Sequence, residues 1–147
     1  MKHFFGFIAV CMALAASPLW AATKSIAKEE VNIRSGPSLK HEIVLKAPLG
    51  YPVKVEREQG EWVHVRDWVN NRGWVHKTLV SSIRTAVVTV KKANVRSGPG
   101  IDKGVVAEAH EGEIYRILER NGRWLRIGYY HGSEPLGWVR NDMVFGE

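Results

Sequence analysis

The chain has 147 residues, 21 Lys and Arg against 15 Asp and Glu, a formal charge of +6, and 45% hydrophobic residues. That balance excludes a disordered chain, which would lack core-forming residues, and the two signs are too interspersed for a polyanion-binding surface, the longest basic run being Lys91-Lys92. A single cysteine, Cys11, excludes any disulfide within the chain.

The first element is an address. Lys2 and His3 precede an apolar run from Phe4 to Ala16, which Pro18 then interrupts. The run is shorter than the roughly 18 residues that a membrane-spanning helix needs, and a small residue closes Leu19-Trp20-Ala21. Residues 1–21 therefore read as a secretory signal peptide with cleavage expected after Ala21, which places the mature chain in the periplasm or outside the cell. A retained membrane anchor is the competing reading. Removing 21 of the 147 residues leaves 126, no cysteine, and a charge of +5 because Lys2 is lost. An exported chain of mild charge makes nucleic acid a poor partner.

The mature chain is written twice. Asn32-Ile33-Arg34-Ser35-Gly36-Pro37 returns 62 residues later as Asn94-Val95-Arg96-Ser97-Gly98-Pro99, and Gly60-Glu61-Trp62-Val63-His64-Val65 returns at the same offset as Gly122-Arg123-Trp124-Leu125-Arg126-Ile127. Gly73-Trp74-Val75-His76 returns at offset 64 as Gly137-Trp138-Val139-Arg140, so the second copy gains two residues in its final hairpin, around His131-Gly132-Ser133-Glu134-Pro135. Two units of about 60 residues are expected, 22–82 and 83–147, each marginal alone.

Within a unit the period is two. Val31 and Ile33, Val53 and Val55, and Val63 and Val65 alternate with polar or aromatic neighbours, which predicts half-buried strands. Ser-Gly-Pro opens a long loop in each copy, Gly50 and Gly112 punctuate, Gly60 and Gly122 turn the chain before a Trp, and Asn70-Asn71-Arg72-Gly73 ends a hairpin. The predicted fold is all-β, about five short strands per unit bent into a small barrel. The linker Ser81-Ser82-Ile83-Arg84-Thr85 contains no Gly or Pro, so the barrels are expected to lie close together, with Ile83, Val87 and Val88 available for an interface.

The three ordered motifs, Val-Asn-Ile-Arg-Ser-Gly-Pro-Ser, Gly-Glu-Trp-Val-His-Val and Gly-Trp-Val-His, resemble those of bacterial SH3 domains, over 27–80 and again over 93–144. The resemblance implies two tandem SH3-like barrels behind a signal peptide, in a superfamily whose envelope members bind peptides or cell-wall material, often as attachments to hydrolases. It also places Trp62 and Trp124 at the position of the Trp that lines the peptide groove. The Pro and Tyr used to read proline-rich helices are replaced by His76 and Leu79, and by Arg140 and Met143, which argues against that ligand class.

No enzyme is expected. The mature chain lacks the Cys of a Cys–His pair, the serines lie in turns and linker, and the acids sit beside Lys or Arg rather than in a paired constellation. No cofactor and no metal are expected either: His64 and His76 share a face, but a closed zinc site takes four ligands, and their counterparts Arg126 and Arg140 cannot ligate. The aromatics are the better lead. Trp62 and Trp124 have the opposite parity to the core valines, so each either seats a ligand or covers the barrel flank. Trp74 shares that face with His64, and packing against the long loop beneath Arg34 is its plainer role, as beneath Arg96 for Trp138. Trp68 and Tyr130 match at the hairpin ends, where two copies of one scaffold would differ. The candidate ligand-binding residues are Trp62, His64, Trp74, Trp68, Trp124, Arg126, Tyr130 and Arg140. The expected function is a non-enzymatic binding module for cell-envelope peptides, peptidoglycan stem or bridge peptides among them; an adaptor for another envelope protein is the alternative.

Overall fold

The structure is a computed structural model that describes residues 22–147; the expected signal segment, 1–21, lies outside the described residues. The first unit contains β1 (Ala22–Ile26), β2 (Val31–Arg34), β3 (Ile43–Ala47), β4 (Pro52–Gln59), β5 (Trp62–Arg66), β6 (Arg72–His76) and β7 (Val80–Ser81). The second repeats it with β8 (Thr85–Val88), β9 (Lys92–Arg96), β10 (Val105–His110), β11 (Ile114–Asn121), β12 (Trp124–Gly128), β13 (Pro135–Arg140) and β14 (Val144–Phe145). A 3₁₀ turn, Lys77–Leu79 or Asn141–Met143, precedes the last strand of each unit.

Each unit is one antiparallel seven-stranded sheet, in the order β3-β2-β6-β5-β4-β1-β7 and β10-β9-β13-β12-β11-β8-β14. Seven strands rather than five form because each unit's opening strand and a two-residue closing strand join the sheet. Ile26 pairs with Val80, and Phe145 with Val87, so head and tail of each unit lie side by side. The sheets curl into SH3-like barrels whose ladder stays open between the outer strands, β3 and β7 in one, β10 and β14 in the other.

The alternation that marks the strands also selects the core. Ile26, Val31, Ile33, Val53, Val63, Val65 and Val75 fill the first barrel; Val88, Val95, Leu125, Ile127 and Val139 fill the second. Each such side chain contributes about 1.5–3 kcal/mol when fully buried, a modest total for so small a domain. Gly60 and Gly122, at φ 58° and 59°, supply the left-handed turn that joins β4 to β5 and β11 to β12.

The barrels touch, and β8 shows how. All four of its residues are buried, whereas the start of β1 is exposed. Val88 faces its own core, while Thr85, of opposite parity, donates from Oγ1 to Gly50 O of the first barrel at 2.6 Å. Ser25 Oγ donates to Ile83 O at 2.7 Å, Thr23 Oγ1 to Glu147 O at 3.4 Å, and the Phe145 ring lies under Lys54 Nζ at 5.3 Å. Gly50, at φ 77°, lies directly against the Tyr130 ring and Ile114 of the second barrel. The expected closeness of the units is met by a built contact.

Candidate functional site

The site grows from the β5–β6 ladder. Trp62 pairs with His76 and His64 with Trp74, so four rings line one outer face in two edge-on pairs, at centroid distances of 5.4 and 5.0 Å. His76 caps the 3₁₀ turn: its Nδ1 lies 2.8 Å from Thr78 Oγ1 and accepts from the Thr78 N–H at 3.4 Å. The ring is thereby fixed in orientation at the edge of Trp62.

The long loop between β2 and β3 forms the opposite wall. Ser35 N–H donates to Glu42 O at 2.9 Å and closes its base, while Arg34 Nη1 donates to His41 O at 2.9 Å and to Leu39 O at 3.3 Å. Arg34 is thus spent on loop geometry, and Leu39 projects from the loop 76% exposed. The turn Lys28–Glu30 makes a third wall, with Glu30 held at a left-handed φ of 52°. Between these walls lies a cleft of about 720 Å³, lined among others by Glu30, Asn32, Leu39, Trp62, His76 and Leu79. That volume is within the range of small-ligand and short-peptide sites.

The second barrel keeps the same site in reduced form. Asn94, Arg96, Ile101, Trp124, Arg140 and Met143 line a cleft of about 100 Å³. Each is the counterpart of Asn32, Arg34, Leu39, Trp62, His76 or Leu79 at offset 62 or 64. Arg140 Nε donates to Asp142 Oδ1 at 2.7 Å, and this bond holds the Asp142 carboxyl below the usual carboxylate range. Arg126 lies 3.6 Å from Glu119, so both arginines already face a carboxylate of the chain itself.

The remaining candidates stand elsewhere. Trp74 is only 6% exposed and lies beneath a cation, but that cation is Arg57, with its guanidinium carbon 5.2 Å from the ring, instead of Arg34, which the loop carbonyls occupy. His64 Nδ1 lies 3.5 Å from Glu56 Oε1; burial, together with Arg57, holds its pKa below the usual histidine value against the pull of Glu56. Trp68 follows Asp67, a buried carboxylate that accepts from Tyr51 Oη, the Val69 and Asn71 N–H groups, and Asn71 Nδ2 at 2.8 to 3.0 Å. Tyr130 packs on Gly50 between the barrels. Of the eight candidates, the clefts unite Trp62 on one side and Trp124 with Arg140 on the other; His64, Trp74, Trp68, Arg126 and Tyr130 lie outside them. Leu39 and Ile101, and Asn32 and Asn94, were missed as site residues although each pair recurs at the repeat offset. Among the described residues no group of three or more His, Cys, Asp or Glu is placed to hold a metal ion.

Two curled seven-stranded sheets, each with a Trp-lined cleft under its long loop, define tandem SH3-like barrels. The chain belongs to the bacterial SH3 domain family: residues 27–82 match one description of that domain and 91–145 another. Over 97% of its length the chain is 25% identical to the Bacillus subtilis protein named "Putative N-acetylmuramoyl-L-alanine amidase YrvJ", of which it spans 30%. A 56-residue stretch is 36% identical to serine/threonine-protein kinase D of Synechocystis, covering 35% of this chain and 11% of that one. Among solved structures, NlpC2 and NlpC1 from Trichomonas vaginalis are 17% and 19% identical, with TM-scores of 0.37 and 0.36, covering 85% and 97% of this chain and about half of theirs (48% and 51%).

Proposed function

We propose that the chain is a non-catalytic envelope module that binds short wall peptides, the stem or bridge peptides of peptidoglycan. One observation carries the reading: six matched positions, four of them in the three repeated motifs, converge on a Trp-lined cleft in both barrels. Trp62 supplies a flat apolar surface for an extended peptide, and Asn32 offers amide hydrogen bonds beside it. Glu29 and Glu30 alternate with Lys28 and Lys40 around the larger cleft, a mixed rim suited to a ligand with both free amino and carboxylate groups. The relative named as an amidase matches this chain over only part of its length, which supports a binding attachment apart from any catalytic segment. An export signal over 1–21, with cleavage after Ala21, completes the proposal.

Incubating the mature chain with purified, protein-free sacculi tests it. Co-sedimentation that soluble muropeptides compete away is the expected result; a chain left in the supernatant rules the reading out. The adaptor alternative has one observation in its favour, the exposed pairs Ile43 and Val44 on outer strand β3 and Val105 and Val106 on outer strand β10. It predicts recovery of a protein partner that survives wall digestion.

A further inference from the structure

The two clefts share their residue positions yet differ about sevenfold in volume, 720 against 100 Å³. We propose that ligand is held by the first barrel alone, and that the second is a closed copy retained to brace the first. The proposal rests on the peptide-binding reading above.

Two local changes account for the closure. In the first barrel the chain enters β2 through a turn, with Glu30 left-handed, and residues 28–30 stand up as a wall of the cleft. In the second, the counterpart of Glu30 is Lys92, which has become the first residue of β9: it pairs with His110, and its Nζ lies 3.4 Å from Glu108 Oε1. With Lys92 drawn into the sheet, residues 90–92 do not line the second cleft. At the opposite wall, Thr78 and His76 are replaced by Asp142 and Arg140. The larger Arg140 side chain is held within the chain by its bond to Asp142, and Asp142 also lies 3.7 Å from Arg123 Nη2. Asn141 fastens the same turn further, its Nδ2 donating to Glu147 Oε1 at 2.6 Å, a bond added to the backbone link that both barrels share. A guanidinium already satisfied by a carboxylate gains little from a second one, and releasing it would leave Asp142 unpaired.

The rims also disagree in sign. Glu29-Glu30 of the first barrel correspond to Lys91-Lys92 of the second, so one ligand cannot find the same charges in both places. What the second barrel does supply is support: Thr85, Tyr130 and Phe145 pack on the Gly50 to Lys54 edge of the first.

The indole N–H signals of Trp62 and Trp124 report the two clefts separately in two-dimensional NMR of the mature chain, titrated with soluble muropeptides released from sacculi by a muramidase. The expected result is a saturable shift of Trp62 with Trp124 unmoved. Leu39 and Ile101 give paired variants without a folding penalty, since both are at least 70% exposed. Leu39→Asp is expected to weaken binding by about tenfold or more, and Ile101→Asp by less than about twofold. Parallel shifts of both indoles, or equal losses for the two variants, overturn the single-cleft proposal while leaving peptide binding intact. No shift at either indole overturns both readings together.

Discussion

Gly50 and Gly112 form a matched pair from which the contact between the barrels can be measured. Both are left-handed, at φ 77° and 85°, and both close the turn before the long fourth strand of a unit. A Cβ on Gly112 would meet open space, whereas one on Gly50 would lie 2.8 Å from Tyr130 Cδ2 and 3.1 Å from Cε2. Alanine at either position incurs the left-handed backbone penalty of roughly 1–2 kcal/mol. At Gly50 the Tyr130 ring, which also meets the His131 ring edge-on at 5.1 Å, must retreat by several tenths of an ångström. Overpacking of this kind costs about 1–3 kcal/mol. Gly112→Ala is therefore expected to lose about 1–2 kcal/mol and Gly50→Ala about 2–5. Urea unfolding followed by tryptophan fluorescence reads both, with the slope checking that the two barrels still unfold together. Losses that agree within about 0.5 kcal/mol would refute the idea that Tyr130 bears on the first barrel.

Asp67→Ala removes the acceptor of four hydrogen bonds from a site 1% exposed and strands the Tyr51 hydroxyl; a loss of about 3 kcal/mol, near 10 °C in melting temperature, is expected by calorimetry, and a shift under about 3 °C would contradict it. His64 is held below its usual pKa when folded, so the unfolded chain takes up the proton first and stability falls as pH drops through about 6.5. His64→Gln should flatten that fall; urea midpoints that track the parent chain between about pH 7.5 and 5.5 would exclude the histidine as its source. Arg34→Ala frees the Leu39 and His41 carbonyls, so amide exchange in 38–42 should quicken while global stability drops by only about 1 kcal/mol; unchanged exchange there would show that the loop holds itself.

The parts of the fold that were legible are those with short-range causes. Val63 and Val65 announce a strand by alternation, Gly60 a turn by its left-handed freedom, and the constant offset carries every such inference from one unit to the other. The same alternation put Trp62 on the outer face, where the cleft uses it. What escaped reading has long-range causes. Glu30 becomes a cleft wall only through a backbone conformation that Lys92 at the matching position does not adopt. Tyr130 and Trp68 match in sequence, yet Tyr130 meets the Gly50 edge because the two barrels pack against each other there, a contact between units that no local pattern announces. Trp74 gained Arg57 from β4, two strands away across β5, a partner that depends on a register shift between Val55 and Arg57.

The contact at Gly50 joins unlike faces, and a joint between unlike faces can in principle be repeated without end when each copy carries both. Here the matching residues do not favour a second step. The second barrel still has a free Gly112, but the positions that would have to dock there from another chain's first barrel are Thr23, Trp68 and Ser81, where the second barrel has Thr85, Tyr130 and Phe145. Ser81 offers no ring for a basic side chain to cover, and Thr23 already donates to Glu147 O. The residues in which the copies have drifted apart are thus those that make the joint, so it is built for one barrel meeting its unlike neighbour and not for a barrel meeting another copy of itself.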